Sequence, residues 1–145
     1  RETIERLAGP QQTLLVADRF AASNLAHQGG KISEPDERRK FFEWLDDFEF
    51  NFLRIRRPDL NIILTGPPEI TFEATKRRAI ATGKSLDGHE ANFDHIQAAH
   101  RAYQQLAVLY PDHYSIVNCL EGGCWLSAEE IHQKIWVLIK TLILG

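Results

Sequence analysis

Three short apolar runs set the architecture available to this chain. Residues 13–17 (TLLVA), 60–64 (LNIIL) and 114–120 (YSIVNCL) are each too short for an ordinary helix. The first reads as a strand buried on both faces, the second as another buried strand and the third as a strand closing the series. Between them lie segments whose apolar residues recur three and four apart, the helical period. Strand and helix in alternation predict an α/β fold with a parallel, doubly wound sheet and helices on both faces. At 145 residues the chain is long enough for one domain with a real core.

The punctuation supports that reading. Residues 2–8 read as a helix end stopped by Gly9-Pro10. Small residues over 22–28 predict a closely packed helix ended by Gly29-Gly30, and 31–35 a loop. Asp36 is the expected N-cap of a helix to about residue 53, with Phe41, Trp44, Leu45, Phe48, Phe52 and Ile55 as an aromatic stripe for core or subunit interface. Further helices are expected over 69–81 and 90–109, separated by a polar, basic loop at 83–88. Residues 121–126 read as a glycine-containing loop. Ser127 and Glu130 form a capping box for a last helix lined by Ile131, Ile135, Leu138, Ile139 and Leu142.

Composition narrows the function classes. A net charge of -3 supplies no basic footprint for nucleic acid and no membrane-surface patch. Cys119 and Cys124, five apart and without a second pair, make neither a zinc site nor a disulfide framework, which favours a reducing, cytoplasmic setting. His89, His95 and His100 do not share the four-residue step of a helical metal site, so a mostly solvated helix start is expected there. The chain opens at Arg1, contains no methionine and begins on what reads as the last turns of a helix, so a piece of a longer protein is expected.

Chemistry concentrates after the first apolar run. Asp18-Arg19 falls at the carboxyl end of the expected strand, where parallel α/β sheets bind ligands. A carboxylate there can hold Mg²⁺ or its waters, and a guanidinium can fork onto phosphate oxygens. Taken alone, the couple reads first as a structural ion pair at a strand end, and the residues that follow shift the balance. Ser23, Asn24, His27 and Gln28 follow on the next turns. Lys76, Arg77, Arg78 and Lys84 gather positive charge around a glycine-containing loop, either a solvated helix end or a lid closing over transferring phosphates. No G-x-x-x-x-G-K-[ST] phosphate loop occurs in these residues.

The run DRFAASNLAHQGGK, Asp18 to Lys31, resembles the D-R-[YF]-x-x-S-x-x-A-[YH]-Q-G segment of the thymidylate kinase family. Arg57-Pro58-Asp59-Leu60 with Pro67-Pro68-Glu69, then Leu86-Asp87-Gly88-His89-Glu90 with Phe93 and Tyr103, are similar to later family passages. Glu129-Glu130-Ile131-His132 and Ile135-Trp136 match its final helix, so the likeness runs through nearly the whole chain. The resemblance implies a P-loop fold with a five-stranded parallel sheet, a lid spanning about 76–90, a homodimer, and transfer of the ATP γ-phosphate to dTMP with Mg²⁺. It implies Asp18 near the metal and phosphates, with Arg19 on the dTMP phosphate. Ser23 and Asn24 would approach the phosphate or base, and Gln28 the thymine edge. Lys76, Arg77, Arg78, Lys84 and Glu90 would belong to the lid, the cations stabilising the transferred group.

Two departures accompany the likeness. His27 stands where many members have a tyrosine against the sugar, and Gly88 where many have a lid arginine. The family's first strand, phosphate loop and its lysine are absent from these residues. Without that strand, the neighbouring apolar edges are expected to be unpaired and the 145 residues unstable or inactive alone. Another nucleoside monophosphate kinase, or a degenerate nucleotide-binding module, accommodates the same departures.

Overall fold

A computed structural model describes residues 14–83 and 92–144 of the chain. The expected helix over 2–8, most of the basic loop, and with it Lys84 and Glu90, lie outside the described residues. What is described is an α/β arrangement built around one small parallel sheet.

Strand β1 (Asn61–Thr65) pairs in parallel with β2 (Tyr114–Asn118), in register from Asn61 opposite Tyr114 to Thr65 opposite Asn118. A parallel pair needs a crossover. Here it contains α3 (Pro68–Thr82) and α4 (Phe93–Leu109). Proline at the first position starts α3, where a missing N–H costs nothing, and Gly83 in the left-handed region (φ 63°) ends it. Asn92 caps α4, its side-chain oxygen accepting from the His95 N–H.

The first apolar run departs from expectation. Residues 14–17 form no strand, and Val16 is 74% exposed. A strand needs a neighbour for its N–H and C=O groups, and no described strand lies beside this run. Burial on both faces fails for the second run as well: Ile63 is buried but Leu64 is exposed, because the two-stranded sheet is only partly covered.

The close packing expected before Gly29-Gly30 is present. Helix α1 (Ala21–Gly29) buries Ala21, Leu25, Ala26 and Gly29 and packs against α4, which buries Ala99, Ala102 and Leu106. A Cβ on Gly30 would meet the Ala98 carbonyl at 3.0 Å, so the approach depends on glycine. Leu25, Ala26, Phe42, Leu45, Ile63, Ala102, Leu106 and Tyr114 form the core.

Helix α2 runs over Pro35–Asp46 and continues as a π-helical turn over Asp47–Phe52, in place of one α-helix. Its N-cap is Glu34, with Asp36 inside the first turn. The expected stripe is displaced too. Arg38, Phe42, Leu45 and Glu49 are the buried face, while Trp44, Phe48 and Phe52 stack into an exposed ladder. Of the expected stripe, Leu45 is buried and Phe41 packs against the core, while two charged residues, Arg38 and Glu49, complete the inward face.

Residues 120–125 are a small hairpin where a loop is expected. Strands β3 (Leu120–Glu121) and β4 (Cys124–Trp125) are joined by Gly122 and Gly123, both at positive φ, as a tight two-residue turn requires. The hairpin closes over Gly66, where a Cβ would meet Leu120 at 2.7 Å and Trp125 at 3.1 Å. The last helix, α5 (Ala128–Leu144), starts at the expected box: Glu130 accepts from the Ser127 N–H and hydroxyl, and the Ser127 hydroxyl accepts from the Glu130 N–H.

Candidate functional site

A cleft of about 480 Å³ opens beyond the carboxyl end of β1, with Thr65 and Gly66 in its floor. Helix α1 supplies Ser23, His27 and Gln28, and α4 supplies His95, His100 and Tyr103. Arg19, Lys31 and Arg78 line it as well, and no carboxylate does among the described residues. Three cations without a facing acid, in a concave site, give a positive potential that favours an anionic ligand.

Backbone geometry places these groups. Arg19 adopts φ 61°, a left-handed conformation that non-glycine residues hold at a cost of order 1 kcal/mol. The strained residue comes just before α1, so the turn into the helix sets Arg19 at the cleft. Ser23 and His27 are four apart on α1 and share its cleft-facing side. The Ser23 N–H donates to the Phe20 carbonyl at 2.9 Å, closing the first turn. Tyr103 donates its hydroxyl to Ser23 Oγ at 3.4 Å.

His95 and His100, expected from the sequence on a solvated helix start, are half-buried in this site together with the candidate His27, while His89 lies outside the described residues. His27 Nδ1 lies 3.1 Å from His95 Nε2, and Thr65 Oγ1 lies 3.2 Å from His100 Nδ1. Burial holds the His100 imidazole below its ordinary value, and the charge of Arg101 adds to this against the opposing pull of Glu69. His100 is therefore a neutral ring facing the strand end. Lys31 donates to Gln28 Oε1 at 2.8 Å, which leaves the Gln28 amide N–H groups for another partner.

Of the sequence-derived candidates, Arg19, Ser23, His27, Gln28 and Arg78 meet in the cleft. Asp18, Asn24, Lys76 and Arg77 do not line it. Asp18 and Arg19 form no ion pair, which removes the structural alternative for that couple. Asp18 is exposed to solvent. Asn24 donates to Glu49 Oε1 at 2.9 Å, joining α1 to the π turn. Lys76 pairs with Glu73 at 3.0 Å and sits 4.0 Å over the Phe72 ring. No group of three or more His, Cys, Asp or Glu that could hold a metal occurs among the described residues. A hydrated Mg²⁺ needs less, one or two carboxylates with substrate phosphates and water completing its shell. Asp18 precedes the cleft-lining Arg19 but does not itself line the cleft, so its exposed carboxylate would meet such an ion only through water.

Sequence reasoning missed Lys31, His95, His100, Thr65 and the α3 hydroxyls of Thr71 and Thr75 as lining groups. The only available signal was position: Thr65 ends an apolar run, where parallel sheets present ligands.

No family model matches the chain. Curated thymidylate kinases of Mycobacterium tuberculosis, strains CDC 1551 / Oshkosh and ATCC 25618 / H37Rv, are 27% identical to it over 95 residues. That region is 65% of this chain and 44% of theirs, so the match spans less than half the length of these relatives. The resemblance drawn from Asp18 to Lys31 and the later passages is thus met independently, as a distant homology to thymidylate kinase over part of the chain.

Proposed function

We propose that this chain is the acceptor-binding and lid portion of a thymidylate kinase that transfers the ATP γ-phosphate to dTMP, giving dTDP. The observation that carries the reading is the cleft at the end of a parallel strand, lined by cations and by no carboxylate among the described residues, with Arg19 just before α1 and Arg78 on α3 both lining it. Distant homology to thymidylate kinases supports the same class.

In this reading the whole chain is one kinase-like domain of the P-loop, doubly wound type, with a lid over about 76–90. Arg19 grips the dTMP phosphate, and Ser23 and His27 face the rest of the nucleotide. Gln28 offers its amide N–H groups to the base edge. Arg78, with Arg77 and Lys76 on the same helix and Lys84 and Glu90 beyond it, belongs to the lid. Asp18 would hold Mg²⁺ through water, which supplies charge neutralisation on the phosphates. Phosphoryl transfer asks the protein for position and charge more than covalent chemistry, which suits a site of arginines, hydroxyls and neutral imidazoles. The setting is cytoplasmic and the assembly a homodimer.

An acceptor panel tests this. The intact gene product, given ATP, Mg²⁺ and a set of nucleoside monophosphates, should make dTDP fastest, and Arg19→Ala should lower dTMP affinity and rate together by about 100-fold. A preference for another acceptor would move the protein to a neighbouring kinase class. Saturable dTMP binding without turnover would identify a non-catalytic nucleotide-binding module.

A further inference from the structure

Gln28 owes its orientation to a neighbour. Lys31 Nζ donates to Gln28 Oε1 at 2.8 Å, and both side chains line the cleft. An ammonium has donors only, so the amide turns its oxygen toward it; the opposite flip would set N–H against N–H. No hydrogen bond to Gln28 Nε2 occurs among the described residues. A charge three positions along the chain therefore sets this amide and leaves its two N–H groups unclaimed.

The exposed pair is worth little by itself, since two flexible side chains have to be ordered to make it. The backbone beneath it supplies part of that order. The Lys31 N–H donates to the Gln28 carbonyl at 3.1 Å, and the Ile32 N–H to the Gly29 carbonyl at 3.0 Å. Gly30 lies so close to α4 that a Cβ would meet the Ala98 carbonyl at 3.0 Å. From α2, the buried Arg38 guanidinium grips the Gly29, Ile32 and Ser33 carbonyls. The chain on both sides of Lys31 is thus anchored to two helices, and only side-chain torsions remain to be fixed.

We infer that Lys31 is a positioning residue that determines base specificity. By drawing Gln28 Oε1 to itself it makes this edge of the cleft a hydrogen-bond donor, matched to a base that presents a carbonyl and mismatched to one that presents an amino group. The ligand part rests on the proposed function, in which Gln28 meets the base edge. The amide orientation stands on the contact itself. Reversing the charge at this position reverses the polarity: a carboxylate accepts from the amide N–H groups and turns Oε1 outward, where it suits an amino group.

The test compares dTMP with 5-methyl-dCMP, which share charge, sugar and methyl group. They differ at the base edge, where a carbonyl and ring N–H in one stand against an amino group and bare nitrogen in the other. Their affinity ratio cancels the general attraction of Lys31 for any anionic nucleotide. In the intact gene product, Lys31→Glu should lower the preference for dTMP about tenfold and Lys31→Met about threefold. Lys31→Arg keeps a donor and should stay within about twofold of wild type. All three changes fall at an exposed position and leave the Arg38 anchors in place. In ligand-free protein, the ¹⁵N–¹H signals of the Gln28 amide should move in Lys31→Glu and hold their place in Lys31→Arg. An unchanged ratio in Lys31→Glu, with both affinities falling equally, overturns the inference and reduces Lys31 to a charge that attracts phosphate. Gln28 signals identical in wild type and Lys31→Glu overturn it too. A protein that binds neither nucleotide, yet moves the Gln28 signals as expected, overturns the functional reading and leaves the hold of Lys31 on Gln28 standing.

Discussion

Replacing Arg38 with methionine should destabilise the fold more than any exposed ion-pair deletion. Arg38 is 5% exposed and makes five hydrogen bonds. Nε donates to the Gly29 and Ile32 carbonyls at 3.1 and 3.0 Å, and Nη2 to the Ile32 and Ser33 carbonyls at 2.7 and 3.1 Å. Nη1 reaches Gln105 Oε1 at 2.9 Å, and Gln105 in turn donates to the Pro35 carbonyl at 2.8 Å. One guanidinium thus ties the end of α1, the following loop, the start of α2 and the middle of α4. Burial pushes its pKa down, and the charge of Arg101 adds to this, so the folded state tolerates the cation only through those bonds. Methionine fills similar volume and removes the desolvation cost.

The losses are unequal. The Gly29 carbonyl keeps a bond from the Ile32 N–H at 3.0 Å, and Ser33 can turn to water. The half-buried Ile32 carbonyl loses two charge-assisted donors, each worth about 1.5–3 kcal/mol. With the relieved desolvation set against this, the net cost is about 3 kcal/mol, or roughly 9 °C in Tm for a domain of this size. Urea denaturation followed by circular dichroism measures it. Arg38→Lys should recover only about 1 kcal/mol, since an ammonium cannot fork onto three carbonyls. A methionine variant within about 0.5 kcal/mol of wild type would refute the reasoning, because desolvation would then cancel the hydrogen bonds.

Other positions give sharper local tests. Gly29→Ala places a methyl into the Phe42 ring, which is fully buried and cannot withdraw; a loss of about 1–3 kcal/mol in urea titration is expected. Ser127→Ala removes both the acceptor for the Glu130 N–H and the donor to its carboxylate, and should cost about 1 kcal/mol in thermal melts. The same change should raise the Glu130 pKa, now held below the carboxylate range by the Ser127 hydroxyl and then by its backbone N–H, as NMR titration would record. His100 binds its proton less tightly folded than unfolded, so its contribution is present above about pH 6.5 and lost as pH falls through the lowered folded value. Urea midpoints between pH 5 and 8 should decline less steeply toward acid in His100→Gln; an identical slope would assign the decline to other groups.

Local signals in the sequence were reliable where chemistry is local. The α1 helix with its small residues, the Ser127–Glu130 box and the two strands near 61–65 and 114–118 follow from spacing within a few residues, whereas the direct pairing of those two strands does not. The inward face of α2 did not, because Arg38 and Glu49 are charged and no periodicity count marks them as buried. Their burial depends on partners far along the chain, such as Gln105 and Asn24. The run at 14–17 had the composition of a strand, but a strand also requires an adjacent edge. In the cleft, α1 was legible through its motif, whereas His95 and His100 became visible only once α4 lay against α1 and β1. A contact across 68 residues leaves no trace in local spacing.

The central claim is that the cation-lined cleft receives dTMP through its phosphate. Titrating isotopically labelled protein with dTMP, and following backbone and imidazole resonances, tests it most directly. The account predicts saturable shifts clustered on Arg19, Ser23, His27, Gln28 and Thr65 with His95 and His100, abolished in Arg19→Ala at the same nucleotide concentrations. Shifts confined to the exposed Trp44–Phe48–Phe52 ladder, or no saturable change in the cleft, would contradict it.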